Sequence, residues 1–546
     1  VSGVSDTPLL GKTIGLAVKE AAASFGNRLA VTSLFQNTQL TYAELDRLTS
    51  QVAASLIALG VKPGDRVAIW SANRWEWLAA HHGAVRAGAV LTPINPAFRA
   101  GELKYIMQDA GISVLFASPS FRAYSYIAAI EEVRAGLPEL RSVILFDGQS
   151  PGMTGWNEFL AAGQAVSESE LQAVSDTIDF DTPCNIQYTS GTTGRPKGAL
   201  LTHHGLLNNG FFVGRRLRFS ERDIICLPVP FFHCFGNVLG ALAAAAYGSE
   251  LVLPSESFDP LTTLKAVEVR RCTVMYGVPM MFIAMLGHPE FGALDLGSLR
   301  TGVMGAAPCP MPVMKGAIER MHLHELTVAY GMTETSPVSF QSFTDDSAEA
   351  RVSTVGAIHP HIEAKIIGAG GEIVPRGVPG ELCVRGYSVM RGYWNREDAT
   401  REAIDSGRWM HSGDLAVMNE NGYVQIVGRL KDTIIRGGEN IYPREIEELF
   451  LTFQGVSEAY IFGVPDELYG EEVVAWVRLR PDSQITAAEI KELCQATIAT
   501  YKIPKTIRFV SEFPATASGK VQKFRMREIE IEERRAGKQA SVRSID

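Results

Sequence analysis

Residues 41–70 read TYAELDRLTSQVAASLIALGVKPGDRVAIW, and this stretch decides the fold class. Thr41 with Glu44 three residues later makes a capping box, in which each residue satisfies an orphan backbone N–H at a helix start. Leu45, Leu48, Val52 and Leu56 follow at helical spacing, and Gly60 stops the run. A Pro63-Gly64 turn then leads into Val67-Ala68-Ile69-Trp70, which reads as a buried strand. The pattern repeats: a second helix ends near Gly88, and Ala89-Val90-Leu91 reads as the next strand. Repeated helix and strand predict a layered α/β fold with mostly parallel sheets.

The texture changes after about residue 355. Ala364-Lys365-Ile366-Ile367 and Glu381-Leu382-Cys383-Val384 read as short strands between Gly/Pro turns, which predicts a small β-barrel or β-rich subdomain over about 355–428. Around 428–440 the chain becomes charged and Gly-rich. Beyond it, Pro443 opens a helix with Ile446, Leu449 and Phe450 on one face, and Val473–Val477 reads as a strand. Thr486 and Glu489 cap a further helix carrying Ile490, Leu493 and Ile498. A small C-terminal domain is therefore expected from about 432, and the charge-dense tail after Met526 is expected to fray.

Bulk properties bound the function. A chain of 546 residues is too long for one compact core, so two or more domains are expected. A net charge of −9 argues against nucleic-acid binding, which needs a basic face, but leaves room for a small anion in a local basic pocket. Seven scattered cysteines, without a Cys-x-x-Cys pair, predict neither a disulfide framework nor a zinc site. Ile224–Ser249 lacks Asp, Glu, Lys and Arg and is long enough to span a bilayer. Its Pro228, Pro230, His233, Asn237 and glycines instead predict a buried strand, a loop and a buried helix. The polar N-terminus shows no secretory pattern and the C-terminal Ser-Ile-Asp is not a peroxisomal address, so a cytoplasmic protein is expected. Because the chain starts at Val1, the mitochondrial matrix stays open if a leader was removed.

The chemistry begins at Tyr188–Gly198, YTSGTTGRPKG. Its glycines let backbone N–H groups approach a ligand, and Thr189, Ser190, Thr192, Thr193, Arg195 and Lys197 add donors suited to a polyphosphate. A solvated surface loop is the competing reading, and the string is not a Walker motif. The string resembles the phosphate loop of the adenylate-forming superfamily, which includes acyl-CoA synthetases, luciferases and peptide-synthetase adenylation domains. Further segments follow in that family's order: Pro230–His233, Gly305–Pro308, Tyr330–Thr335, His411–Asp414, Gly428–Asp432, Arg436–Asn440 and Pro514–Lys520. The resemblance covers nearly the whole chain.

It implies an α/β protein with a large N-terminal domain (1–429) of layered subdomains and a small β-barrel, a hinge at 430–431 on Lys431, and a small mobile α+β C-terminal domain (432–546). It also implies ATP, Mg²⁺ and coenzyme A, with roles for particular residues. Thr189, Ser190, Gly191, Thr192, Thr193, Gly194 and Lys197 hold phosphates, and Gly305, Ala306, Ala307 and Gly331 line the nucleotide site. Tyr330 stacks on adenine, Thr333 donates to the α-phosphate, and Glu334 holds Mg²⁺, a hard cation that prefers oxygen. Asp414 accepts the ribose hydroxyls beside Arg429. Lys520 bridges the attacking carboxylate and the α-phosphate, where a cation stabilises the charge that builds between two anions. Taken alone, Tyr330 reads as a core residue, Ser412-Gly413-Asp414 as a turn and Lys520 as an exposed lysine. Rotation about the hinge withdraws Lys520 and presents Gly437-Gly438-Glu439, whose glycines leave room for a thiol channel; a tight hairpin is the other reading. His233 is the gate between acyl pocket and channel, against the bland reading of a satisfied core histidine. Cys234 is no nucleophile, because this chemistry needs no covalent enzyme intermediate.

Val521-Gln522-Lys523 and Ile434–Pro443 look like acyl- and aryl-CoA ligases, and the whole pattern most like the medium-chain branch. No Asp near 231–238 would pair with a substrate amine. The expected pocket segments, Phe235–Leu239, Val278–Ile283 and Met304–Ala307, are apolar and suit a carboxylic acid with a hydrophobic tail. An aryl or a specialised short or branched acid, a carrier-protein acceptor in place of CoA, and the oligomeric state stay open.

Overall fold

The computed structural model describes residues 1–189, 196–437, 439–495, 497–515 and 521–535. Thr41 and Glu44 form the expected reciprocal cap on the helix Tyr42–Ala58, which buries Leu45, Val52 and Leu56. The strand Arg66–Trp70 follows, with Val67–Trp70 fully buried. It lies parallel to Val90–Ile94 on one side and Ile112–Ala117 on the other, and Ser142–Leu145 continues the parallel run. A strand covered on both faces needs no polar alternation, which is why Val67–Trp70 reads as an unbroken apolar run. At the other edge of this eight-stranded sheet, Pro183–Thr189 pairs with Val90–Ile94, then Lys197–Thr202 and Gly392–Tyr393 add antiparallel.

A nine-stranded sheet holds the second layer. Its centre is a parallel run of Glu250–Leu253, Ile224–Cys226, Val274–Gly277, Thr301–Gly305 and Glu325–Gly331. In open parallel sheets, ligands bind at the carboxyl ends of the strands. Ile224–Ser249 resolves into the expected strand, loop and buried helix, with one difference. Phe235–Leu242 winds as a π-helix, all of it buried, before the α-helix Ala243–Tyr247. A Cβ on Gly236 would lie 2.3 Å from the Pro230 carbonyl oxygen, and one on Gly240 2.7 Å from a Leu227 methyl, so the helix sits against the preceding loop at glycine distance. Among the described residues no helix is long and apolar enough to cross a membrane.

The chain packs as two compact units. The first comprises Val1–Lys365, Cys383–His411 and Asn421–Val424; the second comprises Ile366–Leu382, Ser412–Glu420 and everything from Gln425. The β-rich segment is a four-stranded sheet, Ile362–Ile367, Gly380–Gly386, Met410–Met418 and Val424–Arg429 in that order, and contributes to both units. In the second unit, Val456–Asp466 and Gly470–Leu479 form a long antiparallel pair, with Thr506–Phe509 parallel to the latter. Pro443 opens the helix Pro443–Thr452, which buries Ile446 and Phe450, and Thr486 exchanges hydrogen bonds with Glu489 as expected. Up to Arg535 the tail departs from expectation, and residues 536–546 lie outside the described residues. Lys523–Arg535 is a helix that buries Met526 completely and places Glu530 2% exposed, where it accepts from the Trp476 indole N–H at 3.4 Å. Its charges face partners, not solvent alone: Arg508 pairs with Glu533 at 2.6 Å and Arg527 with Glu471 at 2.8 Å.

Candidate functional site

The loop expected to hold phosphates is flanked by Pro183–Thr189 and Lys197–Thr202, which pair antiparallel. Thr189 pairs with Lys197 across it, and the Thr189 hydroxyl donates to the Lys197 carbonyl at 3.4 Å. Ser190, Gly191, Thr192, Thr193 and Gly194 lie outside the described residues, as do Gly438 and Lys520. Both flanks of the loop, at Tyr188 and Pro196, are tied to one helix, Ala100–Ala110. Tyr188 donates its hydroxyl to Asp109 Oδ2 at 2.6 Å, and Tyr105 donates to the Pro196 carbonyl at 2.9 Å. Tyr105 and Asp109 are four residues apart and share a helix face. Arg396 pairs with Asp109, whose side chain is 9% exposed. Burial, then the hydrogen bond to Asp109, push the Tyr188 phenol far up, so it remains a neutral donor.

At the carboxyl end of Thr301–Gly305 the backbone turns through Ala306 at φ +65°, a left-handed conformation, leaving Ala306 and Ala307 exposed. Gly305 is in register with Ala329, so this turn lies beside Tyr330 at the end of the neighbouring strand. Tyr330 is half-buried with its ring 6.4 Å from Phe340. Gly331 is required there, because a Cβ would fall 1.8 Å from the Pro337 carbonyl oxygen. The chain then makes the short 3-10 turn Thr333–Thr335, which buries Glu334 to 6% exposure.

Glu334 is held from two directions by one segment. The Met390 N–H donates to its carbonyl at 2.9 Å, and the Tyr393 hydroxyl donates to its Oε1 at 2.8 Å. Tyr393 also presents its ring 5.1 Å from Lys197 Nζ. Lys197, Tyr393 and Glu334 are therefore gathered into one cluster, with Thr333 and Cys234 at its side. The Cys234 thiol is buried, and burial pushes it up to about 12, which keeps it protonated and un-nucleophilic. A buried carboxylate beside a threonine hydroxyl, with no thiolate or imidazole in the set, suits a hard divalent cation: Glu334 would hold Mg²⁺.

His233 is exposed, unlike a core histidine, and its Nδ1 accepts the Phe235 N–H at 3.1 Å at the start of the π-helix. In the second unit, Arg429 Nε pairs with Asp414 Oδ1 at 3.0 Å, and Asp414 is 7% exposed. The turn before it is stitched by Ser412 Oγ, which donates to the Leu382 carbonyl at 2.6 Å, and by the Gly413 N–H, which donates to Glu381 at 3.1 Å. Lys431 lies in the 3-10 turn Leu430–Asp432. Arg436 pairs antiparallel with Glu439, so the hairpin reading of this segment holds at Gly437, whose φ is +60°. The Gly437 N–H donates to the Tyr469 carbonyl at 2.8 Å, and Arg436 Nε reaches the buried Glu472 at 2.9 Å. Tyr393, Tyr105, Asp109 and Arg396 escaped the reading of the sequence; the pairing that places them joins segments far apart in the chain.

Comparison with known proteins fits this geometry. Residues 18–394 match the family described as AMP-binding enzyme, and residues 445–520 match the AMP-binding enzyme C-terminal domain. A putative acyl-CoA synthetase, YngI, from Bacillus subtilis (strain 168) is 44% identical over 539 residues, 96% of this chain and 98% of that one. The medium-chain acyl-CoA ligase ACSF2, mitochondrial, of Danio rerio is 40% identical over 97% of this chain and 90% of its own. The crystal structure of ATP-bound MatB from Rhodopseudomonas palustris superposes with a TM-score of 0.84 at 30% identity, covering 95% of this chain and 99% of that one. The chain belongs to the AMP-binding enzymes of the adenylate-forming superfamily and is an AMP-forming acyl-CoA synthetase that works with ATP, Mg²⁺ and coenzyme A.

Proposed function

We propose that the acid activated is a medium-chain fatty acid. A carboxylate oxygen attacks the α-phosphorus of ATP and expels pyrophosphate; the sulfur of CoA then attacks the acyl carbon, loses its proton to solvent and expels AMP. Thr189–Gly194 and Lys197 hold the phosphates, Gly305–Ala307 and Gly331 bound the nucleotide site, and Tyr330 stacks on adenine. Thr333 donates to the α-phosphate, and Asp414 beside Arg429 takes the ribose hydroxyls. Mg²⁺, when bound at Glu334, supplies positive charge against the triphosphate. Lys520 bridges carboxylate and α-phosphate in the first step only. A turn about Lys431 then moves 432–546 against 1–429, bringing Gly437-Gly438-Glu439 to the thiol and leaving His233 as the gate.

The observation that carries the choice of acid is the π-helix Phe235–Leu242, buried throughout and without a charged residue, which begins two residues after His233. Apart from Asn237, whose buried Oδ1 has no hydrogen-bond partner among the described residues, that wall is apolar; it accepts an alkyl tail and gives a second charged end no counter-ion. The medium-chain naming of relatives at 40% identity supports the same length class. The test is a screen of pyrophosphate release and thioester yield with free CoA, across short, medium and long fatty acids and aromatic acids. A maximum at medium chain length is expected. A preference for an aromatic acid overturns the acid assigned here, and acyl-AMP that accumulates without thioester points to a carrier-protein acceptor.

A further inference from the structure

Tyr393 occupies an unusual junction. Its two-residue strand Gly392–Tyr393 adds to Lys197–Thr202 with Ala199 opposite Tyr393, so Lys197 is a diagonal neighbour on the same face. The Trp394 N–H donates to the Gly198 carbonyl at 2.8 Å and locks this register. On its far side the phenol reaches Glu334 Oε1 at 2.8 Å. One side chain thus touches both the cation at the exit of the phosphate loop and the buried carboxylate. Among the described residues, Tyr393 is the hydrogen-bond partner of that carboxylate.

The Tyr393 hydroxyl is the donor in this contact and the Glu334 carboxylate the acceptor. A carboxylate offers about four lone-pair directions. Tyr393 takes one of them on Oε1, fixes the rotation of the carboxyl group and leaves the other directions for a cation.

We propose that Tyr393 is a positioning residue of the adenylation step, which aligns the Glu334 carboxylate for the divalent cation and the Lys197 ammonium for the triphosphate through one hydroxyl and one ring. The inference rests on the reading of Glu334 as the Mg²⁺ ligand. Groups that orient a metal-binding side chain typically change metal affinity by about 10–100-fold when removed.

Tyr393→Phe separates the two contacts, because it keeps the ring beside Lys197 and deletes only the O–H. Calorimetric binding of ATP to the full-length protein, at a series of Mg²⁺ concentrations, reads the effect without turnover. The Mg²⁺ concentration needed for half-maximal tightening of ATP binding is expected to rise about tenfold, while metal-free ATP binding moves less than about twofold. In a Glu334→Gln background, Tyr393→Phe is expected to shift the Mg²⁺ requirement less than about twofold, since the group it aligns is gone. An equal shift in both backgrounds, or none in the native one, overturns the proposal. If Glu334→Gln alone leaves the Mg²⁺ requirement untouched, the metal reading of Glu334 fails and takes this inference with it. Should Tyr393→Phe yield no folded protein, Glu334→Asp carries the same test, because it withdraws the carboxylate from an intact Tyr393 hydroxyl and is expected to raise the requirement similarly; an unchanged requirement there overturns the proposal.

Discussion

Asp109→Asn should loosen the phosphate loop without dismantling the domain. Asp109 is the shared anchor for Tyr188, at one end of the loop, and for Arg396, while Tyr105 on the same helix face holds the other end at Pro196. Asparagine keeps the shape and loses the charge. A hydrogen bond to a charged acceptor contributes roughly 1.5–3 kcal/mol, and a neutral one about 1. The Tyr188 contact at 2.6 Å therefore stands to lose about 1–2 kcal/mol. The ion pair adds less, under about 1 kcal/mol, because the Arg396 side chain is 41% exposed. The backbone contact survives: the Trp394 indole donates to the Asp109 carbonyl at 3.1 Å. If about 1.4 kcal/mol of the loss is expressed in the loop, the apparent affinity for ATP falls about tenfold. Pyrophosphate release at saturating acid and varied ATP should show KM for ATP raised about tenfold and KM for the acid unchanged, with urea unfolding reporting the stability cost on the same protein. Tyr188→Phe, which removes one hydroxyl, should give a smaller change of the same kind. A variant that loses the full 1–3 kcal/mol of stability while its KM for ATP stays at the native value would refute the reasoning, since Asp109 would then hold the fold and not the loop.

Three further outcomes follow from the geometry and the proposed roles. Burial pushes His82 and His203 down to about 3, and the completely buried His81 well below its ordinary value, so the folded core accepts only neutral imidazoles. Unfolding lets each recover a value near 6.5 and bind a proton, so their contribution is whole above about pH 6.5 and is lost as pH falls toward 3. At pH 5 this amounts to roughly 2 kcal/mol per residue, and urea unfolding at pH 7 and 5 should show the drop shrink by about that much in His82→Leu; an unchanged drop discards the assignment. Gly437→Leu should cut thioester formation from supplied acyl-AMP by about tenfold or more while leaving adenylate formation nearly intact, and Gly437→Ala separates the strain at φ +60° from the bulk of the side chain. Lys520→Ala should do the reverse, with about a hundredfold or greater loss of pyrophosphate release, and equal loss of both half-reactions removes its role as the bridging cation.

What could be read from the sequence divides along a physical line. The capping box at Thr41 and Glu44 was legible because both partners lie within one turn and the interaction depends on nothing else. The strand at Val67–Trp70 was legible because full burial leaves an unbroken apolar run. The π-helix was not, since an α-helix and a π-helix bury the same apolar string; the choice comes from how closely Gly236 and Gly240 let the helix approach Pro230 and Leu227. The helix Lys523–Arg535 was misjudged for the opposite reason. Its charge density suggested solvent, but Glu530 and Glu533 find Trp476 and Arg508 on strands that composition does not place beside it.

The site divides in the same way. Residues expected to meet the ligand were legible because a triphosphate, a magnesium ion or a ribose accepts few kinds of group, and an ordered series of such groups has a recognisable spelling. Residues that hold them were hidden because the requirement on a holder is loose: any donor within about 3 Å serves a carboxylate. Tyr393 meets Glu334 from 59 positions away, and Tyr188 meets Asp109 from 79, so neither spacing carries information before the sheets are assembled. The hairpin at Lys197 shows what the assembly adds. It brings the edge strand Gly392–Tyr393 against Lys197–Thr202 and thereby sets a tyrosine between a cation and a carboxylate that the sequence places 137 residues apart. The order of the motifs names the reaction, and the tertiary pairing decides how rigidly its charges are held, which is the quantity that electrostatic catalysis depends on.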